Sequence, residues 1–170
     1  MNIFAVHFSP QVAANWIDDK RANQMVRESL QLLSTTINVI EGKQYDGVYA
    51  SFNPNHPCRL WVGQSQANFF WLLRYTLGLV GNRCKPEVHL RARGVLAATY
   101  HWYRDNKHTL PGDIGDKINF VNCAGNESKG ISFKDDPHTI AAYRKYLCAR
   151  WPTDTRPPTW NTGVKPYWYQ

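Results

Sequence analysis

Residues 18–30 read Asp18-Asp19-Lys20-Arg21-Ala22-Asn23-Gln24-Met25-Val26-Arg27-Glu28-Ser29-Leu30, and the fold hangs on how they are read. Apolar or small residues recur at Ala22, Met25, Val26, Ser29, Leu33, Thr36 and Ile40, the spacing of one helical face. The stretch therefore opens a long amphipathic helix that ends near Glu41-Gly42, where glycine supplies the stop. Arg21, Gln24, Glu28 and Gln31 gather along a polar edge beside the apolar stripe. Glu28 is the only acid between Arg21 and Ile40. A lone carboxylate at a core border, with arginines close by, is a candidate general acid/base. Periodicity alone favours the plainer reading, a surface glutamate on a solvated face.

Toward the N-terminus, residues 2–8 lean to β structure and suit an extended arm laid on the domain. Ser9-Pro10 is a helix start, with serine as cap and proline at the first helical position, and a short helix runs from Gln11 to about Ile17. Toward the C-terminus, residues 43–57 form a loop rich in turn residues, long enough to suggest more than connection, and His56 closes it. Residues 58–81 form an aromatic-rich helix. Phe69, Leu72, Leu73, Thr76 and Val80 make one face, and Trp61, Ser65, Asn68 and Tyr75 make another. Two such faces mark a central helix, with Ser65 and Asn68 hydrogen-bonding internally or lining a site.

Residues 86–105 are helical, with His89, Arg93 and Tyr100 on one face. Residues 106–134 lack period and hold one short strand, Ile118–Val121. Asp136-Pro137 starts a helix to about Trp151, on which Arg144, Lys145 and Arg150 stay polar. The tail, residues 156–170, carries three prolines with Trp160, Lys165, Tyr167, Trp168 and Tyr169. Its aromatics imply that it packs on the domain. The fold class is all-α: a single compact domain over residues 1–170, of four or five helices with long irregular loops and an aromatic C-terminal tail.

One domain suits 170 residues. The net charge is +7. Such a balance points first to phosphate-bearing polymers, whose binding weakens steeply with salt. No stretch is apolar for long enough to span a bilayer, and the N-terminus lacks the features of a signal peptide. Cys58, Cys84, Cys123 and Cys148 include no Cys-x-x-Cys pair and read as reduced, mostly structural thiols. The six histidines are scattered, so no metal site is expected. Phosphate-loop, dinucleotide, nucleophile-elbow and zinc-deaminase motifs are absent from the sequence.

The order of features resembles a known family. An Arg-Glu-x-Leu step (Arg27-Glu28-Ser29-Leu30) on an early helix is similar to that of the pyrimidine-dimer DNA glycosylases typified by phage endonuclease V. His56-Pro57 before the central helix, the run Phe69-Phe70-Trp71, and Pro158-Thr159-Trp160 followed by tyrosines match in the same order. The chain also resembles a set of phage proteins whose early helix reads Asp-Lys-His…Lys-Met…Leu-Glu and whose central helix begins His-Pro-Cys. Here Arg21 stands for that histidine and Gln24 for that lysine.

The resemblance implies a DNA glycosylase/AP lyase in a divergent phage-encoded branch, acting on damaged or modified pyrimidines. An N-terminal α-amine attacks the sugar C1′ to form an imine, and a glutamate handles the protons. An α-amine titrates close enough to neutrality to supply an unprotonated nucleophile. On the matching positions Glu28 is the acid/base and Met1 the amine, with Lys20 as the substitute amine. Residue 2 is asparagine, too bulky for efficient removal of the methionine. Arg27 and Arg21 would bind phosphate, His56 would line the site, and Trp160, Tyr167 and Trp168 would stack near DNA. Arg93, Arg144 and Lys165 are further expected contacts to the double-stranded DNA partner. No cofactor is implied, nor a membrane; a cytoplasmic monomer is expected. Two other readings stay open: a phage base-hypermodification transferase on the same scaffold, and a non-enzymatic DNA-binding protein.

Overall fold

Capping side chains and prolines set where the helices begin. The structure is a computed structural model that describes residues 1–83 and 85–170. Ser9 Oγ accepts from the Val12 N–H and starts α1, Pro10–Trp16. Asp18 accepts from the Arg21 N–H and starts α2, Asp19–Glu41, which Gly42 ends at φ 67° with its N–H on the Val39 carbonyl. His56 caps α3, Pro57–Gly63, by accepting from the Cys58 N–H. Ser65 caps α4, Gln66–Asn82. The remaining helices are α5, Pro86–Asn106, and α6, Thr139–Arg150.

The described residues thus form six helices rather than four or five, because the expected helix over 58–81 is two. Ser65 adopts φ −158°, ψ 159°, and its hydroxyl accepts from the Asn68 N–H at 3.1 Å. That local bond outcompetes helix continuation, although the apolar period runs straight through. The Asn68 side chain donates back to the Trp61 carbonyl at 2.8 Å, so both polar residues are internally satisfied. Ser65→Ala is expected to lower stability by about 1 kcal/mol, read as a shift in urea midpoint.

Helix α4 packs against α1, α2, α3 and α5, and α2 packs against α3, α4 and α5, so these two make the frame. Both faces of α4 are buried, through Phe69, Leu72, Leu73 and Val80 and through Trp71 and Tyr75. A side chain at Gly78 would meet the Ala14 Cβ at 3.1 Å, which fixes how closely α1 crosses α4. The first half of α2 leaves one edge in solvent. Its second half is more deeply buried, though Val39 stays exposed, and its side chains hold the 43–55 loop. Gln31 donates to the Ala50 carbonyl at 2.7 Å, and Asn38 donates to Tyr49 at 2.9 Å and accepts from the Tyr45 N–H at 2.8 Å.

The expected strand at Ile118–Val121 is irregular backbone instead. Side chains take its carbonyls: Trp61 donates to Asn119, Thr139 to Phe120 and the Tyr143 hydroxyl to Val121. With those acceptors satisfied, no strand partner is required. A two-residue antiparallel ladder forms further on, Gly125–Asn126 (β1) against Ile131–Ser132 (β2). The tail packs as its aromatics suggest. Trp168 stacks on buried Trp151 at 5.6 Å, and Trp160 and Tyr169 meet Trp151 at 5.2 and 4.5 Å.

Arg83 ties the tail to the first two helices. Buried at the end of α4, it donates to the carbonyls of Ala14, Asn15 and Ile17 and to Thr162 and Asp19. No helix of the described residues is long and apolar enough to cross a membrane.

Candidate active site at the N-terminus

Asparagine at position 2 bends the arm before it can become a strand. Its Oδ1 accepts from the Ile3 N–H at 2.8 Å and the Phe4 N–H at 3.4 Å, an Asx turn. Phe4 follows at φ 37°, a left-handed conformation uncommon outside glycine. Its ring is buried against Tyr143 and Tyr146, which holds it there. The arm is therefore irregular rather than extended. Asn2 Nδ2 donates to the Cys123 carbonyl at 3.1 Å, and Arg144 Nε donates to the Val6 carbonyl at 2.9 Å.

This bend aims the chain start at the edge of α2. The Asn2 N–H donates to Glu28 Oε2 at 2.7 Å. Gln24, one turn earlier, donates to Glu28 Oε1 at 2.6 Å, so both carboxylate oxygens are fixed. Covalent geometry then keeps the Met1 α-amine within about 6 Å of that carboxylate. His56 faces the same point. Burial and the positive N-terminus hold its imidazolium form down, outweighing the pull of Glu28 in the other direction. Its Nδ1 accepts from the Cys58 N–H, so the neutral ring carries its proton on Nε2. Protonation is disfavoured in the fold, so stability tied to this ring falls as pH drops below 6.5.

Two thiols, Cys58 and Cys123, feel the charge at the N-terminus. Interaction with Cys58, fully buried on α3, lowers the Cys123 thiol. Burial opposes this shift, while Lys134 and the N-terminal charge add to it. The same interaction and burial push Cys58 up. Tyr75 lies beneath, its buried hydroxyl pushed up by burial and by Glu28. Cys148 fits the structural expectation, its Sγ donating to the Trp168 carbonyl at 3.9 Å. The expectation for Cys84 lies outside the described residues.

An open groove of about 1190 Å³ runs between α2, the start of α5 and residues 154–162, and Met1, Glu28 and His56 do not line it. Lys20, Asn23 and Arg27 line one wall, and Lys85 and Arg156 line the others. Glu87 also lines it, while Asp19 and Asp154 are already engaged. Burial pushes Asp19 up, but hydrogen bonds from Asn161, Thr159 and Thr162 outweigh it and hold the group low. Burial likewise opposes, and Arg21, Arg150 and Lys20 outweigh, at Asp154. Lys20 sits at this groove with Nζ 3.6 Å from Asp154, about 12 Å along α2 from Glu28.

Several expected contacts are corrected. Arg21 is not a phosphate ligand on the polar edge. It is 5% exposed, with its guanidinium divided between Asp18 at 3.1 Å and Asp154 at 2.7 Å. Arg144 clamps the arm and lies over the Trp16, Tyr167 and Trp168 rings. Trp160 and Trp168 are half-buried against Trp151, and Trp160 Nε1 donates to the Trp16 carbonyl, so they clamp the tail rather than offer stacking faces. Tyr167 alone of that cluster is open, at 75%. Lys165 covers the Tyr169 ring at 5.2 Å. Arg93 lines a separate shallow depression between α4 and α5 with Leu77 and His89.

The structure brings together Met1, Glu28 and His56, while Arg27 lines the groove along α2. Asn2, Cys58 and Cys123 are the site residues that the sequence reading missed. Asparagine's preference for Asx turns was an available signal for the first. The cysteines offered none, since they meet only through the fold. Among the described residues, no group of His, Cys, Asp and Glu is arranged to hold a metal ion. An amine, a carboxylate, a neutral imidazole and a thiol gathered at the chain start can support nucleophilic attack with proton transfer. Comparison of the chain with family models, with curated proteins and with solved structures gives no match.

Proposed function

We propose that this chain is a DNA glycosylase/AP lyase acting on damaged or modified pyrimidines in double-stranded DNA. The observation that carries this reading is the 2.7 Å bond from the Asn2 N–H to Glu28, which sets an α-amine beside a carboxylate. In the proposed reaction the Met1 nitrogen attacks C1′ as the base departs with its electron pair. Loss of a proton and ring opening give the imine, and Glu28 carries protons between nitrogen, ring oxygen and C2′. Removal of the C2′ proton then expels the 3′-phosphate. Arg27, Lys20, Lys85 and Arg156 in the groove supply the charge for the strand.

Borohydride is expected to trap a covalent adduct with an abasic-site duplex, and peptide mass spectrometry should find the adduct on Met1. An adduct on Lys20 would move the nucleophile to the groove. No adduct with abasic or lesion-bearing duplexes would reject the imine mechanism.

One observation favours transfer of an amine onto a base instead. Asn2 Nδ2 donates to the Cys123 carbonyl at 3.1 Å, which keeps this residue at the chain start, and its thiol, lowered by the neighbouring Cys58, suits addition as a thiolate to C6 of a pyrimidine. Loss of a leaving group from the C5 substituent, capture by an amine and expulsion of the thiolate would then complete the exchange without breaking a strand. Nucleoside mass spectrometry after incubation with modified phage DNA separates the two readings.

A further inference from the structure

Phe52 is 62% exposed, on a loop whose backbone is fixed to the helix that carries Glu28. Its N–H donates to Thr35 Oγ1 at 3.1 Å, and that hydroxyl lies 3.4 Å from its carbonyl. Gln31 holds the Ala50 carbonyl two residues earlier. Asn53 then turns the chain at φ 48°, and its carbonyl accepts from the His56 N–H at 3.1 Å. A rigid strap thus runs from Phe52 into His56 at the amine site. Among the described residues no other aromatic ring lies against Phe52, whereas exposed Phe8 rests on Phe120 at 6.0 Å. Burial therefore does not account for this phenylalanine.

The surroundings suit a nucleic acid. From Gly47 to Asn55 the strap has no charged residue, so nothing on it repels a phosphate backbone. Thr35 lies two helical turns beyond Glu28, about 10 Å along α2. That separation is about three base steps, within reach of the stack from which a nucleotide would be drawn. An enzyme that works on a base or its sugar must take the nucleotide out of the stack, and apolar side chains serve as wedges at such openings.

We propose that Phe52 is the wedge that fills the base stack when a nucleotide is drawn out toward Glu28, an inference that rests on the DNA-glycosylase reading. The ring replaces the stacking lost by the extruded nucleotide. Binding should therefore favour DNA in which a base is already missing.

The test compares the wild-type chain, Phe52→Ala and Phe52→Trp on two short duplexes, one intact and one with a central tetrahydrofuran abasic analogue. The wild-type chain is expected to prefer the abasic duplex. Phe52→Ala should bind that duplex about tenfold more weakly, the size of one base–aromatic stack, and the intact duplex within about twofold of wild type. Phe52→Trp, which keeps a stacking face, should retain the preference. Unchanged affinity of Phe52→Ala for the abasic duplex, or an equal loss on both duplexes, overturns the wedge. If Phe52→Ala gives that result while wild type still forms the borohydride adduct, the wedge alone fails. A wild-type chain that binds neither duplex and forms no adduct overturns both readings.

Discussion

Glu28→Gln is expected to slow adduct formation with an abasic-site duplex by about 10²- to 10⁴-fold, the usual contribution of a positioned acid/base. The replacement is nearly isosteric. Its amide oxygen can still accept from the Asn2 N–H, now bonded to Glu28 at 2.7 Å, so the arm should stay docked. What disappears is the capacity to carry a proton and to stabilise positive charge on the sugar. Duplex affinity, measured in parallel, should be kept or raised, because on the proposed reading one negative charge leaves a surface that meets phosphates. Slow chemistry with intact binding is the signature of a catalytic carboxylate. A wild-type rate in Glu28→Gln would reduce Glu28 to an anchor for the N-terminus and favour the non-enzymatic DNA-binding reading.

Arg21→Met should destabilise the fold by about 3–5 kcal/mol, because it strips the counter-charge from buried acids. Arg21 meets both oxygens of Asp18, at 3.1 and 3.2 Å, and Asp154 at 2.7 Å. Asp18 is 1% exposed and is left with the Trp151 Nε1–H at 2.8 Å and the start of α2. Asp154 retains Arg150 at 2.6 Å and the more distant Lys20. For a chain of this length the loss corresponds to roughly 10 °C or more in melting temperature. Adding Asp18→Asn should recover part of it, since the orphaned charge goes with it.

The pH dependence of this effect has a definite sign. Asp154 is held below its ordinary 3.8, so the stability it contributes is present above that value. It is lost as pH falls through the lowered folded value. The deficit of Arg21→Met should therefore be greatest near neutrality and shrink below about pH 3.8. A deficit that grew with acid would contradict the ion cluster.

Local chemistry made much of the frame legible. Ser9-Pro10 and Gly42 sit where the first two helices begin and end, because caps act within a turn of their own residue. The stripe of α2 and the two buried faces of α4 follow from helical period, and the aromatics of the tail betray its packing. Long-range partners were not legible. Arg21 lies at the polar edge by spacing, yet Asp154, 133 residues later, draws it inward. Cys58 and Cys123 look unrelated in sequence because pairing rules read close spacings. Ser65 shows the opposite limit, where a single hydroxyl interrupts a periodic pattern that otherwise continues. Glu28 stood out as an isolated acid, but Asn2, which gives it a neighbour, looked only like a bulky residue after methionine.

The docking of the first residues also sets a schedule for biosynthesis. Asn2 rests on Cys123, 121 positions away, and Val6 rests on Arg144, 138 positions away. A ribosome has finished most of the chain before either partner exists, so the earliest residues made are among the last to find their place. A nascent or prematurely terminated chain that lacks these partners lacks the docked amine. Docking of the first residues therefore waits on synthesis as far as Arg144.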